Sequence, residues 1–252
     1  MIIRPAVLCF LLGLASSSSG LIFYSTDDPE FNTSAPEGEL AGSGWDLQGN
    51  WGSVLATPIA PHYFLAARHT AGQIGDAFLF DGRAYTTIAF FDCPQADLRL
   101  WKVGGSFPRF ASLYEKEDET GRRVVVFGRG TRRGPEIIVE TPIGPQLKGW
   151  LWGVADHRKR WGENQVTRIV PVIETNSRSG DLLQCEFNAN AGATEVHLSV
   201  GDSGGGLFID DGTGWKLAGI NLGVDGPYRI GINGERISAA LFDEGALFEW
   251  NE

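Results

Sequence analysis

The stretch LSVGDSGGGLF, residues 198–208, sets Asp202 and Ser203 among four glycines, between two apolar runs. Serine is a weak nucleophile at neutral pH and needs a base within hydrogen-bond reach. The chain has four histidines, at positions 62, 69, 157 and 197. His69 ends the apolar run YFLAARHTAG, with small Ala66 and Ala67 before it, so a strand would fix the ring at the rim of a cleft. A base of this kind is commonly held in one tautomer by a buried carboxylate. Asp97, in ADLRLWKV, opens an alternating apolar strand and falls on the opposite face from Leu98 and Leu100. Ser203, His69 and Asp97 therefore have the residue types for nucleophilic acyl transfer. Taken singly, each motif also has an ordinary reading as a glycine turn, a packed or surface histidine, or a strand start.

The elements that must position them read as β-structure. Of 252 residues, 34 are glycine, about twice ordinary usage, and aromatic residues are plentiful, which favours short strands and tight turns. Residues 21–44 are polar and lack clear periodicity, predicting an irregular lead-in. From Trp45 onward come short runs such as WGSVLATPI, HYFLAARH, AFLF and RAYTTIAFF. The last two flank Asp81-Gly82, a pair suited to a two-residue hairpin turn with positive φ. EKEDETGRR, residues 115–123, contains no apolar residue and divides the chain into two β-rich halves, 45–118 and 119–252. Only the tail, Ser238 to Trp250, has helical spacing, so a short C-terminal helix is predicted.

The first twenty residues, MIIRPAVLCFLLGLASSSSG, combine a positive start, a short apolar core and small residues. That is the pattern of a secretory signal, with cleavage expected between Ala15 and Gly20 and a secreted or periplasmic product. The apolar stretch is about half the ~20 residues that span a bilayer, so no membrane span is expected in the mature chain. Removal of Cys9 would leave Cys93 and Cys185, which either pair across a long loop or remain two buried thiols. A net charge of −10 argues against nucleic acid as a partner. No His/Cys spacing suggests zinc or another metal, and no cofactor is implied. GRGTRRG, 128–134, reads as a hairpin loop because strand-like EIIVE follows it, and DHRKRW, 156–161, reads as a solvated loop.

AARHT, DLRL and GDSGG, in that order, resemble the His, Asp and Ser motifs of the trypsin-like (chymotrypsin-fold) serine proteases. VVVFGRG and WKLAGI resemble further strands of that family, and the resemblance runs from about Trp45 to the C-terminus. It implies two six-stranded antiparallel β-barrels with the active site in the cleft between them. Residue by residue, it makes Ser203 the nucleophile, His69 the general base and Asp97 its orienting group. The amides of Gly201 and Ser203 become the oxyanion hole, and a polypeptide becomes the substrate. The alternative is a catalytically silent binding protein on the same fold.

The chain departs from the family in places. Gly206 stands where proline is common. The family's Ser-Trp-Gly, whose Ser supports the catalytic Asp, has its counterpart near Asn221-Leu222-Gly223 or Leu222-Gly223-Val224. No Ile-Val-Gly-Gly start is visible, so Asp202 is expected to lack an inserted N-terminal amine, and no activation cleavage is expected. By resemblance His197 lies at the base of the primary pocket, with Leu222, Gly223 and Val224 at its edge. His197 argues against a preference for Lys or Arg. It leaves open either an acidic or small polar side chain, or a merely hydrogen-bonded pocket histidine.

Overall fold

The computed structural model describes residues 20–173, 179–231, 234–245 and 247–249. Apart from Gly20, the leader expected from the sequence lies outside them. The described chain is almost wholly β-structure. Its helical backbone is confined to two three-residue 3₁₀ turns, Gly38–Leu40 and Trp45–Leu47.

After a two-residue strand β1 (Ile22–Phe23), six antiparallel strands close a barrel. They are β2 (Gly49–Trp51), β3 (Val54–Ala60), β4 (Tyr63–Ala67), β5 (Ala77–Phe80), β6 (Arg83–Asp92) and β7 (Leu98–Val103), in the order β2-β3-β4-β7-β6-β5. Closure leaves no unpaired edge. The β5–β6 hairpin turns at Asp81 and Gly82, both with positive φ (52° and 69°), as the sequence predicts. On β5, Phe78 and Phe80 point inward while Ala77 and Leu79 face out. The barrel is filled by aromatic rings: Phe64 stacks on Phe78 at 4.1 Å between centroids, and Trp51 meets Trp101 at 4.8 Å.

The second half contains β8 (Arg123–Gly128), β9 (Thr131–Thr141), β10 (Gly144–Ala155), β11 (Arg160–Ile173), β12 (Ser179–Cys185), β13 (Val196–His197), β14 (Gly206–Asp210) and β15 (Trp215–Ile220). Four short strands follow: β16 (Tyr228–Ile230), β17 (Arg236–Ile237), β18 (Ala239–Leu241) and β19 (Leu247–Glu249). A five-stranded sheet, β12-β11-β8-β14-β15, and a three-stranded sheet, β18-β10-β9, form a curled half-barrel beside the closed one. Where the sequence pattern predicts a terminal helix, the chain instead forms β18 and β19. Ala239–Leu241 is buried along β10, and sheet pairing prevails over helical spacing in so short a tract.

An apolar seam joins the halves. Leu55 and Ala111 from the first side pack with Val125, Phe127, Phe208 and Leu217 from the second. Gln48 crosses the seam, its amide donating to Thr57 (2.9 Å) and accepting from the Gly206 N–H (3.0 Å). The lead-in is better anchored than its polarity suggests. Leu21, Ile22 and Phe23 are buried, and β1 pairs with β13 through Ile22↔His197 and Phe23↔Val196. Three apolar residues carry too little periodicity to be read as a strand, yet one edge suffices to bury them. The basic cluster 156–161 is likewise not a free loop. Arg160 is buried, holds Asp156 by two hydrogen bonds (2.7 and 2.9 Å) and reaches the Pro29 carbonyl.

Trp101→Ala will lower unfolding free energy by about 3–5 kcal/mol. Leu79→Ala, on the outer face of the same barrel, will change it by about 0.5 kcal/mol or less. Denaturant midpoints of the two variants beside the parent check this; equal midpoints for both would refute an aromatic-filled barrel.

Candidate active site

The β4–β7 pairing positions the first two site residues. Its register matches Ala67 with Leu98, and the next rung is an Arg68 N–H to Asp97 carbonyl bond of 2.9 Å. His69 then lies in a turn closed by the Thr70 N–H on the Ala67 carbonyl. Its Nδ1 meets Asp97 Oδ2, and its Nε2 lies 2.8 Å from Ser203 Oγ. The Asp97 side chain is 6% exposed and that of His69 is 35% exposed, so the ring is anchored from a dry side and open toward solvent on the other.

Ser203 arrives from the other half of the chain, 134 residues away, on the loop between β13 and β14. The glycines around it answer specific close approaches. Gly201 has φ 95°, a conformation that L side chains rarely adopt, and Gly204 has φ 83°. A Cβ on Gly204 would lie 2.4 Å from the Leu55 carbonyl oxygen of the closed barrel, and one on Gly205 would lie 1.9 Å from that of Phe127. Among the described residues, the N–H groups of Gly201 and Ser203 meet no acceptor. Those of Gly204 and Gly205 bond to the Asn221 and Asp202 carbonyls. The loop thus leaves two amides free beside the Ser203 hydroxyl.

Asp202 holds the loop from beneath. Its buried carboxylate accepts from the N–H groups of Gly130 (2.7 Å), Ser199 (2.8 Å) and Leu21, with the Ser199 hydroxyl 2.9 Å away. Burial pushes this carboxyl up to about 6, against the lowering effect of those donors. The N-terminal segment thus contributes the Leu21 N–H to this carboxylate. Gly128 and Gly130 clear the space it fills, since a Cβ on Gly128 would lie 2.1 Å from Asp202 Oδ1. In sequence, GRGTRRG reads only as a hairpin loop; its first glycines are in fact the wall of this carboxylate site. Asn221, one possible counterpart of the family's Asp-supporting Ser, instead supports the serine loop, its buried amide donating to the carbonyls of Phe127 (2.8 Å) and Asp202 (3.1 Å).

The expected pocket residues fall on two segments. His197 lies on β13, its ring edge-on to Phe187 at 5.4 Å and its Nδ1 at the Leu198 carbonyl. Burial pushes its imidazole down to about 4, with the Asp225 carboxylate acting weakly the other way. Leu222, Gly223 and Val224 follow β15, and among the described residues their backbone has no hydrogen-bond partner. Cys93 and Cys185 are both free thiols. Cys93 sits between β6 and β7 of the closed barrel and Cys185 ends β12 in the other half, so the possible bridge is not formed. Burial pushes the Cys185 thiol up to about 12.

A carboxyl raised in the folded state stabilises the fold below its unfolded value and loses that contribution as pH rises through about 6. The stability of the parent relative to Asp202→Asn will therefore fall between about pH 4 and 6. Urea unfolding of both proteins across that window measures it; a difference that rises with pH would refute the assignment.

No protein-family model matches the sequence, and no curated protein sequence is similar to it. Solved structures do match. The Rv3671c protease of M. tuberculosis H37Rv, as an inactive serine-to-alanine mutant, aligns with a TM-score of 0.50 at 13% identity. The alignment covers 82% of this chain and 89% of that one. The murine norovirus NS6 protease gives 0.39 at 15% identity, over 78% of this chain and 93% of that one. The passenger domain of the plasmid encoded toxin of enteroaggregative Escherichia coli gives 0.45 at 15% identity, over 76% of this chain and 20% of that one. With its closed barrel, curled half-barrel and a site between them, the chain has the chymotrypsin protease fold.

Proposed function

We propose that the chain is an exported serine endopeptidase that hydrolyses peptide bonds through an acyl-enzyme intermediate. The observation that carries the reading is one line of contacts, from Asp97 to His69 Nδ1 and from His69 Nε2 to Ser203 Oγ, ending beside two unpaired amides. In the proposed acylation, Ser203 Oγ attacks the scissile carbonyl carbon while His69 Nε2 takes its proton. The amides of Gly201 and Ser203 then hydrogen-bond the oxyanion, an interaction whose removal costs about 2.7–4 kcal/mol of barrier in related chemistry. His69 returns the proton to the departing amine, and the C–N bond breaks. Water, deprotonated by His69, releases the acyl group in the same manner. Asp97 holds His69 in the tautomer with hydrogen on Nδ1 and stabilises the imidazolium.

The unpaired backbone at Leu222–Val224 suits an extended peptide lying along it as an added strand. His197, pushed down to about 4, is neutral at ordinary pH, which favours a neutral substrate side chain over an acidic one. Export rests on the composition of residues 1–20.

A fluorophosphonate probe will label the purified protein, and Ser203→Ala and His69→Ala will abolish labelling. Asp97→Asn will slow it by several orders of magnitude, on the order of 10⁴ in comparable triads. A folded parent that does not label would overturn the enzyme reading in favour of a binding protein. A peptide-library digest at about pH 5.5 and pH 8 will show the same side-chain preference, since His197 keeps one charge state over that range.

A further inference from the structure

Asp97 has two carboxylate oxygens, and the line of contacts described above uses one of them. Oδ2 meets His69, whereas Oδ1 is buried and accepts no hydrogen bond among the described residues. A buried carboxylate oxygen calls for a compensating partner. The resemblance to the serine proteases directs attention to a hydroxyl at the start of the segment after β15, but Asn221 or Leu222 stands there and neither has one. The Asn221 amide is engaged with the carbonyls of Phe127 and Asp202 and does not reach Asp97.

The group facing Oδ1 is Arg68, the residue immediately before the histidine. Its Nε lies 3.8 Å from Oδ1, within ion-pair range and beyond a hydrogen bond, and its side chain is 22% exposed. Two further contacts hold it there. Arg68 Nη1 lies 3.4 Å from the Cys93 carbonyl, and its own N–H bonds the Asp97 carbonyl at 2.9 Å. Two other charges lie nearby, and one of them, the Asp92 carboxylate, is also felt by Arg68 from a distance. Arg99 is committed to Asp92 through two hydrogen bonds and stacks over Phe90, and it influences Asp97 only from a distance.

We propose that Arg68 is a positioning residue, its guanidinium holding the free oxygen of Asp97 so that the other oxygen stays aimed at His69 Nδ1. This deepens the serine-peptidase reading and rests on it. The fold leaves a carboxylate that must be oriented, the hydroxyl that the resemblance leads one to expect is absent, and the cation paired with Asp97 across the β4–β7 ladder takes its place. Its positive charge, 3.8 Å from Asp97, also offsets part of the field that this carboxylate directs at the His69 ring.

The test is the rate of fluorophosphonate labelling from about pH 5 to 9 for the parent, Arg68→Gln and Arg68→Lys. Arg68→Gln will lower the plateau rate about tenfold and move the acidic limb up by about half a pH unit. Arg68→Lys, which keeps the charge, will stay within about threefold of the parent with its limb in place. Parent-like rate and limb in Arg68→Gln would overturn the proposal. So would equal losses in both variants with unmoved limbs, which is the signature of packing alone. Should Arg68→Gln fail to fold by near-ultraviolet circular dichroism, Arg68→Lys decides: retention supports the charge role, and loss overturns it. Absence of labelling in the parent would instead overturn the peptidase reading, visible before any variant is measured, and Arg68's role would fall with it.

Discussion

The site depends on one constraint: a serine and a histidine 134 residues apart, on different halves of the chain, must sit 2.8 Å apart. The apolar seam meets it. Leu55 of the closed barrel and Phe127 and Phe208 of the half-barrel are completely buried together, so the two scaffolds behave as one packed body. The seam is brought close to the loop by glycine. Gly204 passes the Leu55 carbonyl at a distance that excludes any Cβ, and Gly205 does the same at Phe127. The glycines of the serine motif therefore serve two ends, freeing amides on one side and admitting the neighbouring strands on the other.

Two buried carboxylates complete the arrangement and are handled differently. Asp202 is surrounded by peptide amides from three segments of chain, at Leu21, Gly130 and Ser199, and so ties the N-terminal strand and the β8–β9 turn to the serine loop. Asp97 has one oxygen on His69 and the other facing only a cation at 3.8 Å. An amide cage suits a carboxylate that anchors a loop. Asp97 instead lies between the His69 ring and the Arg68 cation, so it is paired with side chains rather than enclosed by backbone.

Much of this was legible in local sequence where local chemistry decides. Asp81-Gly82 announced a hairpin because few other pairs tolerate positive φ at both positions. AFLF displayed its inward Phe78 and Phe80 by simple alternation. Legibility failed where a short apolar tract is decided by its neighbours. Leu21–Phe23 became a strand because β13 offered an edge, and Ala239–Leu241 became a strand rather than a helix because β10 did. Arg160, read as solvated, is buried because Asp156 and the Pro29 carbonyl receive its guanidinium.

By itself, the sequence determined the all-β class and singled out Ser203, His69 and Asp97 as candidates. Residue type and order carry that information, since a serine among glycines, a histidine at a strand end and an aspartate at a strand start can be picked out together without knowing their neighbours in space. Tertiary structure alone decided what supports them. That Gly128 and Gly130 wall the Asp202 site, that Asn221 turns toward the serine loop, that Arg68 faces Asp97, and that Cys93 and Cys185 stay apart are all matters of which segments become neighbours. Such neighbours are set by the packing of two β-scaffolds over long sequence separations, and no local pattern of residues encodes that distance.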